Sequence, residues 1–246
     1  MKLLRTLQFW LMGTVLFSYS CGSNESTKSE TSTTDTSTAA STTPAETTPA
    51  STVSTTPTNM MVVTHKVRDF NSWKAAYDAH DSMRLASGIH SYVVGRGAKD
   101  TSMVLVATKV DDVNKAKDFA KSASLKQAMQ KSGVVGAPTV RYSVMVYQDT
   151  AKINTKLRSS TMFTVKDWDR WQHSFDSTRQ LPTDNGLVVR AYGHDVDDNH
   201  KVVIVTAITD TAKAMAYWKS DLLKQRRAQS GAGEPVRFIY EVVQRY

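Results

Sequence analysis

Two segments of the sequence, 89–96 and 187–194, alternate basic or aromatic residues with small or aliphatic ones. Because successive residues of a β-strand point to opposite faces of the sheet, each segment predicts a strand with one polar face and one face suited to packing under helices. Segments 140–146 and 236–241 each add an arginine in the same pattern. The polar faces together present His90, Tyr92, Arg96, Arg141, Arg190, Tyr192, His194 and Arg237.

These residue types predict a pocket for a small organic ligand. Arginine can hold a carboxylate or an enolate through two parallel hydrogen bonds, and histidine can act as a base near neutral pH. The alternative is that the side chains satisfy one another or reach solvent at the mouths of the fold. We expect the other histidines on the surface or in the core; they are His65, His80, His173 and His200.

Residue patterns for other chemistries are missing. His90 with His65 or His194 has no carboxylate at the spacing of a ligand set, so we predict no metal site. The sequence has no Gly-rich phosphate loop, no Gly-x-Ser-x-Gly motif and no second cysteine that could serve as a nucleophile. It therefore predicts no cofactor.

The single cysteine, Cys21, follows a segment with the parts of an export signal. Lys2 and Arg5 precede an apolar stretch over 7–17, which is shorter than the about 20 residues that span a bilayer. The arrangement resembles a bacterial lipoprotein signal. The resemblance implies a signal peptide over 1–20 and an acylated Cys21 that anchors the protein to a membrane of the cell envelope, outside the cytoplasm. Ordinary secretion and an uncleaved anchor are the alternatives.

Residues 21–60 form a segment in which Ser, Thr, Ala and Pro dominate and periodic apolar positions are absent. Such a segment cannot bury enough apolar surface to offset the entropy of ordering. We therefore predict a disordered tether that holds the folded part away from the membrane.

The formal net charge is +8, from 31 Lys and Arg against 23 Asp and Glu. Such an excess is compatible with anionic partners, but the sequence favours an ordinary basic surface that faces solvent. No block of Lys and Arg is interleaved with aromatic residues, so we expect no nucleic-acid partner. The predicted partners are a membrane, through the acylated cysteine, and a small-molecule ligand, and the sequence leaves further oligomerisation open.

The chain aligns with itself after a shift of 98 residues. The motif Val67-x-Asp-Phe-x-x-Trp73 recurs as Val165-x-Asp-Trp-x-x-Trp171, and Ser-Gly and Leu-Lys pairs recur in the same order further on. After a small deletion, 140–142 meets 236–238. Agreement in order over this length indicates an internal duplication.

Each copy has the same pattern of elements. The copies are 61–147 and 157–246, with 148–156 as the linker, and the order of periodicities in each is β-α-β-β-α-β. This is the order of a ferredoxin-like domain, whose sheet has helices on one face only. The sequence therefore predicts an α+β protein with two tandem ferredoxin-like domains that pack their bare faces together, with the polar strand faces lining a space between the two sheets.

The opening motif of the first copy, with Phe119-x-x-Ser122-x-x-Leu125-Lys126 and Gly133-Val134, resembles the dimeric α/β-barrel superfamily. The nearest similarity is to its antibiotic-biosynthesis-monooxygenase-like members. The resemblance implies an intramolecular pseudo-dimeric α/β barrel. That superfamily includes cofactor-free monooxygenases, haem-handling proteins and isomerases, so the resemblance implies a fold rather than a reaction.

Three functions are compatible with these patterns. The first is an envelope lipoprotein that binds a small hydrophobic or anionic ligand between the two sheets. The second is a cofactor-independent monooxygenase-like enzyme that acts on a quinol or a similar activated aromatic. The third is a structural or interaction module whose barrel is filled. We favour binding, because His65 becomes Phe163 and His90 becomes Val188 in the second copy, so the copies share no symmetric catalytic set.

Overall fold

The structure is a computed structural model that describes residues 51–246. The predicted signal peptide, Cys21 and most of the predicted tether lie outside the described residues. The described strands are β1 (Val53–Ser54), β2 (Thr58–Val67), β3 (Ile89–Gly97), β4 (Met103–Val110), β5 (Val134–Asp149), β6 (Leu157–Thr164), β7 (Leu187–Asp195), β8 (Lys201–Ile208) and β9 (Val236–Arg245). The described helices are α1 (Phe70–Ala79), α2 (Asp81–Leu85), α3 (Val113–Lys121), α4 (Ala123–Lys131), α5 (Trp168–Asp176), α6 (Gln180–Asp184), α7 (Thr211–Lys219) and α8 (Asp221–Ser230).

Aspartates cap the first helix of each helical segment. The Asp69 carboxylate accepts a hydrogen bond of 2.7 Å from a backbone amide at the start of α1, and Asp112 does the same for α3. Asp167 and Asp210 hold the corresponding positions before α5 and α7. Such caps satisfy amides that have no partner within the helix. In the described part of the chain, none of the helices is long and apolar enough to cross a membrane.

The strands close into a barrel. The sheet order is β5-β2-β4-β3-β9-β6-β8-β7, and β7 pairs back onto β5, from Ser143 opposite Asp195 to Gln148 opposite Ala191. β3 and β9 form the second seam between the halves. Each half has the order β-α-β-β-α-β, with each helical segment split in two. The prediction of two tandem ferredoxin-like domains in an intramolecular pseudo-dimeric α/β barrel is confirmed.

The inner face of the barrel is occupied by side chains. Met60, Leu105 and Met145 are each no more than 4% exposed, and a β-carbon added at Gly95 would stand 2.3 Å from the Tyr240 ring. Burial raises the pKa of Tyr240 to about 12. The space between the two sheets, where the sequence placed the ligand pocket, therefore holds the core of the barrel.

The helices cover the outer face of the sheet in each half. In the first half, Phe70 and Trp73 of α1 pack with Val94, Val104 and Val106. In the second half, Trp168 and Trp171 of α5 form the equivalent core. These three tryptophans thus lie in the two helix–sheet cores.

The ordered fold begins earlier than the predicted boundary at residue 61. β1 pairs with the end of β5, and Met60 is buried in β2. The end of the tether predicted over 21–60 is therefore wrong, because strand residues are already present from 53 onward. At the other boundary, β5 continues to Asp149, so the predicted linker over 148–156 begins inside a strand.

β-Bulges in β3 and β7 reverse the alternation of side chains within each strand. The pairing of β3 with β4 skips Tyr92, and the pairing of β7 with β8 skips Arg190. A residue after the bulge faces the side opposite to the one that simple alternation predicts. Val94 and Tyr192, predicted to face the barrel interior, accordingly pack under the helices.

Equivalent positions in the last strands of the two halves are 97 residues apart, whereas the sequence alignment matched 140–142 with 236–238. Val140 lies opposite Val63 in the first half, and Arg237 lies opposite Thr161 in the second. Arg237 is therefore the counterpart of Val140, not of Arg141. A slip of one residue moves a side chain to the other face, so Arg141 and Arg237 lie on different faces of the sheet.

Two buried arginines hold the linker against the barrel. Arg190 donates to the Asp149 carboxylate at 2.7 Å and to the Ala151 carbonyl at 2.5 Å. Arg158 donates to two backbone carbonyls at the end of the linker, at 2.7 and 2.9 Å. The Arg190 side chain is only 7% exposed. The geometry gives this predicted ligand-binding residue a structural ion pair.

We expect Arg190→Met to lower the free energy of unfolding by about 3 kcal/mol or more, because the shielded Asp149 carboxylate loses its cation. The double variant Arg190→Met/Asp149→Leu should recover most of that loss, since no charge is then left uncompensated. Urea unfolding followed by circular dichroism at pH 7.5 measures both. Lys224→Met, which breaks an exposed pair with Asp221, should cost less than about 1 kcal/mol. Equal losses in the two single variants would contradict the structural role.

Candidate functional site

Each half has a cavity between its helices and the outer face of its sheet. The second-half pocket lies between β6–β8 and helices α5, α7 and α8, and its volume is about 370 Å³. The first-half pocket lies between β2, β4 and helices α1, α3 and α4, and its volume is about 100 Å³. The sequence placed the pocket between the two sheets, whereas these two cavities lie under the helices. Both pockets are under the helices because the facing sheet surfaces are used by the barrel core.

Aromatic rings form the walls of the second-half pocket. Trp171 and Phe175 are four residues apart on α5 and so lie on one face of the helix; their rings stack with centroids 5.0 Å apart. Phe163 rises from β6 with its ring 5.6 Å from that of Trp171, and Trp218 lines the pocket from α7. Flat apolar walls of this kind suit an aromatic ligand.

Arg237 is the charged residue that lines this pocket from the sheet. Its guanidinium carbon lies 5.0 Å from the centroid of the Trp218 ring. Its Nε is buried and has no hydrogen-bond partner in the described part of the chain. Burial, together with the charge of nearby Arg227, lowers the pKa of the guanidinium. A half-buried cation whose Nε–H lacks a partner can be stabilised by an anion that enters the pocket.

Further arginines line the same pocket. Arg227 forms an ion pair with Glu234, a carboxylate whose side chain is 91% exposed, and Arg226 donates to the hydroxyl of Thr178. Arg170 also lines the cavity. With one acidic partner among these cations, the local charge of the second-half pocket is positive.

The positive charge arises from differences between the halves. At three equivalent positions the first half has an apolar residue and the second half has an arginine. At a fourth position, in the first strand of each half, the first half has a histidine and the second half has a phenylalanine. The pairs are Ala128 and Arg226, Met129 and Arg227, Val140 and Arg237, and His65 and Phe163. The two pockets therefore differ in chemistry although they occupy the same place in the fold.

The first-half pocket contains His65, which the sequence analysis did not place in a site. The residue is 6% exposed, and neither ring nitrogen has a hydrogen-bond partner within residues 51–246. Its ring packs edge-on against Trp73 at 5.4 Å. Burial lowers its pKa from the ordinary 6.5 to about 4, so the imidazole is neutral at pH 7. The signal in the sequence is that His65 shares one face of β2 with the apolar Met61, Val63 and Val67. The sequence alone did not distinguish the two faces of this strand.

Residues that follow the bulges were predicted to face the ligand and lie instead among the helices. The guanidinium carbon of Arg96 lies 4.9 Å from the centroid of the Phe70 ring. The His194 ring packs edge-on against Trp168 at 4.7 Å, and the Tyr192 hydroxyl donates to a carboxylate of α5 at 2.5 Å. Burial, reinforced by that carboxylate, raises the pKa of Tyr192.

The other predicted residues are spread over the molecule. His90 lies 2.9 Å from Asp111 with both side chains largely exposed, and Tyr92 lies under the ammonium of Lys109 at 5.0 Å. Arg141 lines an open groove between the halves. Of the predicted set, Arg237 is the member that lines a pocket under the helices. Within the described residues, no three His, Cys, Asp or Glu side chains are placed to hold a metal ion.

The chain is similar in structure to several proteins whose sequences have diverged from it. A protein described as a monooxygenase from Fusobacterium nucleatum shares 13% identity, with 76% of this chain and 93% of that chain covered and a TM-score of 0.52. An anthrone oxidase-like protein shares 12% identity over 76% of this chain and 92% of its own length, with a TM-score of 0.51.

A protein described as a chlorite dismutase shares 12% identity over 77% of this chain and 96% of its own length, with a TM-score of 0.52. No family model and no curated protein matches the sequence. At this level of identity the similarity concerns the fold. The chain has the dimeric α/β-barrel fold that the sequence resemblance implied.

We expect His65 to make stability depend on pH. Because burial lowers the folded-state pKa to about 4, the unfolded chain takes up a proton between pH 6.5 and 4 that the folded protein does not. The contribution of His65 to the free energy of unfolding is complete above pH 6.5. It is lost as the pH falls toward 4, and the loss is on the order of 3 kcal/mol. His65→Phe, which introduces the residue found at position 163, should remove this component.

Urea unfolding at pH 7.5, 5.5 and 4.5 measures the effect. His173→Gln, at an exposed position on α5, is the matched control and should keep the pH dependence of the wild type. The prediction fails if His65→Phe shows the same dependence as the wild type.

Proposed function

We propose that this protein binds a small aromatic anion in the second-half pocket. The observation that carries the proposal is the half-buried Arg237, whose guanidinium lies against the Trp218 ring and whose buried Nε has no hydrogen-bond partner in the described residues. A carboxylate, enolate or phenolate on a flat apolar body would satisfy the guanidinium while its rings pack against the aromatic walls.

The size of the second-half pocket favours a ligand of two or three rings. Its volume of about 370 Å³ lies at the lower end of the range that holds drug-sized molecules, roughly 300–1,000 Å³. The local excess of arginine favours an anion over a neutral compound, because Glu234 pairs with Arg227 and no equivalent pair forms at Arg237 in the described residues.

The geometry favours binding over catalysis. Histidine is the residue type in the predicted set that can act as a base, and His90 is exposed and paired with Asp111. Tyr192, another member of the predicted set, has its hydroxyl engaged by Asp176. A filled structural barrel accounts for the interior of the sheet, but it does not account for a cavity beneath the helices that is lined by arginines.

We also propose that the protein acts at a membrane of the bacterial cell envelope, anchored through acylated Cys21. The support is the position of the single cysteine directly after an export-type segment. Several acyl chains, at about 0.8 kcal/mol for each buried methylene, would hold the protein firmly. The folded part would then present its pockets outside the cytoplasm.

Binding of 2-naphthoate and of its neutral amide, measured by isothermal titration calorimetry and tryptophan quenching, tests the ligand proposal. We expect the wild type to bind the acid at least about tenfold more tightly than the amide. Arg237→Met should weaken binding of the acid by roughly tenfold to a hundredfold, the value of a charge-assisted hydrogen bond, and should leave binding of the amide nearly unchanged.

Arg141→Met is the matched control for this experiment, because Arg141 lies in the open groove and not in the second-half pocket. It should bind the acid as the wild type does. Equal affinity for acid and amide, or equal losses in both variants, would count against an anion site at Arg237.

The anchor is tested by labelling with radioactive palmitate in a Gram-negative host. The wild type should carry label and fractionate with membranes, whereas Cys21→Ser should carry no label and leave the membrane fraction, because the acylated side chain is gone. Ser20→Ala keeps the cysteine and should remain labelled. An unlabelled wild-type chain would contradict the lipoprotein proposal and leave the ligand proposal unaffected.

A further inference from the structure

The first-half pocket contains a polar side chain that the proposed function does not use. His65 is 94% shielded from solvent and lines a cavity of about 100 Å³. Both of its ring nitrogens are without partners in the described part of the chain, although a neutral imidazole carries one donor and one acceptor. Buried polar groups are nearly always hydrogen-bonded, so this ring indicates a partner that enters the cavity.

We infer that the first-half pocket is a second, separate binding site for a small neutral compound that carries a hydroxyl group on an apolar ring. The hydroxyl would donate to the free nitrogen of His65 or accept from its N–H. The ring would pack against the apolar lining, which Trp73, Phe119 and Met129 provide.

The charged and titratable groups around the cavity are engaged elsewhere, which favours a neutral ligand. The Arg84 guanidinium donates to the Tyr77 carbonyl at 2.7 Å and to Asp81 at 2.9 Å. The Tyr77 hydroxyl is bonded to Ser91 at 2.8 Å, and a ring nitrogen of His80 lies 2.6 Å from a backbone carbonyl of its own helix. The positions that are arginines in the second half are Ala128, Met129 and Val140 here. No cation is therefore free to compensate a charged ligand in this pocket.

The volume limits the ligand to about one ring. A cavity of roughly 150 Å³ lined by apolar side chains accepts benzene, and the first-half pocket, at about 100 Å³, is somewhat smaller. A single-ring phenol fits with modest movement of the flexible Met129. Because burial lowers the pKa of His65, its imidazole would accept a hydrogen bond from a phenol and leave the proton on the phenol oxygen.

The experiment uses the full chain in detergent, with histidine labelled with ¹⁵N on the ring, and 4-fluorophenol as the probe. Titration followed by ¹⁹F and ¹⁵N NMR should shift the ring-nitrogen resonances of His65. His65→Phe should weaken 4-fluorophenol by about tenfold, the value of one lost hydrogen bond to a neutral group. Fluorobenzene, which lacks the hydroxyl, should bind both proteins about equally.

His173→Gln, at an exposed position that lines neither pocket, is the matched control and should leave binding of 4-fluorophenol unchanged. If His65→Phe does not fold, His65→Gln and the shift of the wild-type ring nitrogens decide the question. A wild-type His65 resonance that does not respond to 4-fluorophenol, equal affinities in wild type and variant, or a bound water detected at the ring would each overturn the inference. These outcomes concern the first-half pocket alone. They do not affect the 2-naphthoate experiment, which tests the second-half pocket.

Discussion

The closure of one sheet through two seams is the constraint on which the rest of this structure depends. A single ferredoxin-like half would expose edge strands with unpaired backbone groups and one bare sheet face. Here β5 pairs with β2 and continues onto β7, while β9 pairs with β6 and continues onto β3. Glycine makes the seams close: a β-carbon at Gly193 would stand 1.9 Å from the Val144 carbonyl oxygen, and Gly95 touches Tyr240. The bare faces thus become one core.

Closure of the barrel also determines where pockets can form. Since the facing surfaces of the sheets are used by the barrel, the two pockets described above lie beneath the helices, one in each half. The same position in the fold then acquires different chemistry through a few side chains. Arginines line one cavity, and a neutral histidine among apolar residues lines the other. The architecture provides the cavities, and the substitutions between the halves determine which charge each one favours.

The sequence predicted the architecture well, because duplication and strand–helix periodicity are properties of whole segments and tolerate local errors. The site was predicted poorly, because side-chain direction depends on single-residue register. Bulges at Tyr92 and Arg190 turned Arg96 and His194 toward the helices. A one-residue difference in the final strands separated Arg237 from Arg141. His65 lay in a strand whose faces could not be told apart before its partners were known. A bulge leaves no clear mark in composition, so these assignments needed the pairing itself.

Covalent joining of the halves has an evolutionary consequence. In a symmetric homodimer each mutation is inherited by both subunits, so a change that improves one cavity is imposed on the other. Here positions 65 and 163 are encoded separately, and histidine and phenylalanine can occupy equivalent places in one molecule. A single chain therefore lets the two pockets differ from one another, while each molecule keeps them in a fixed ratio of one to one.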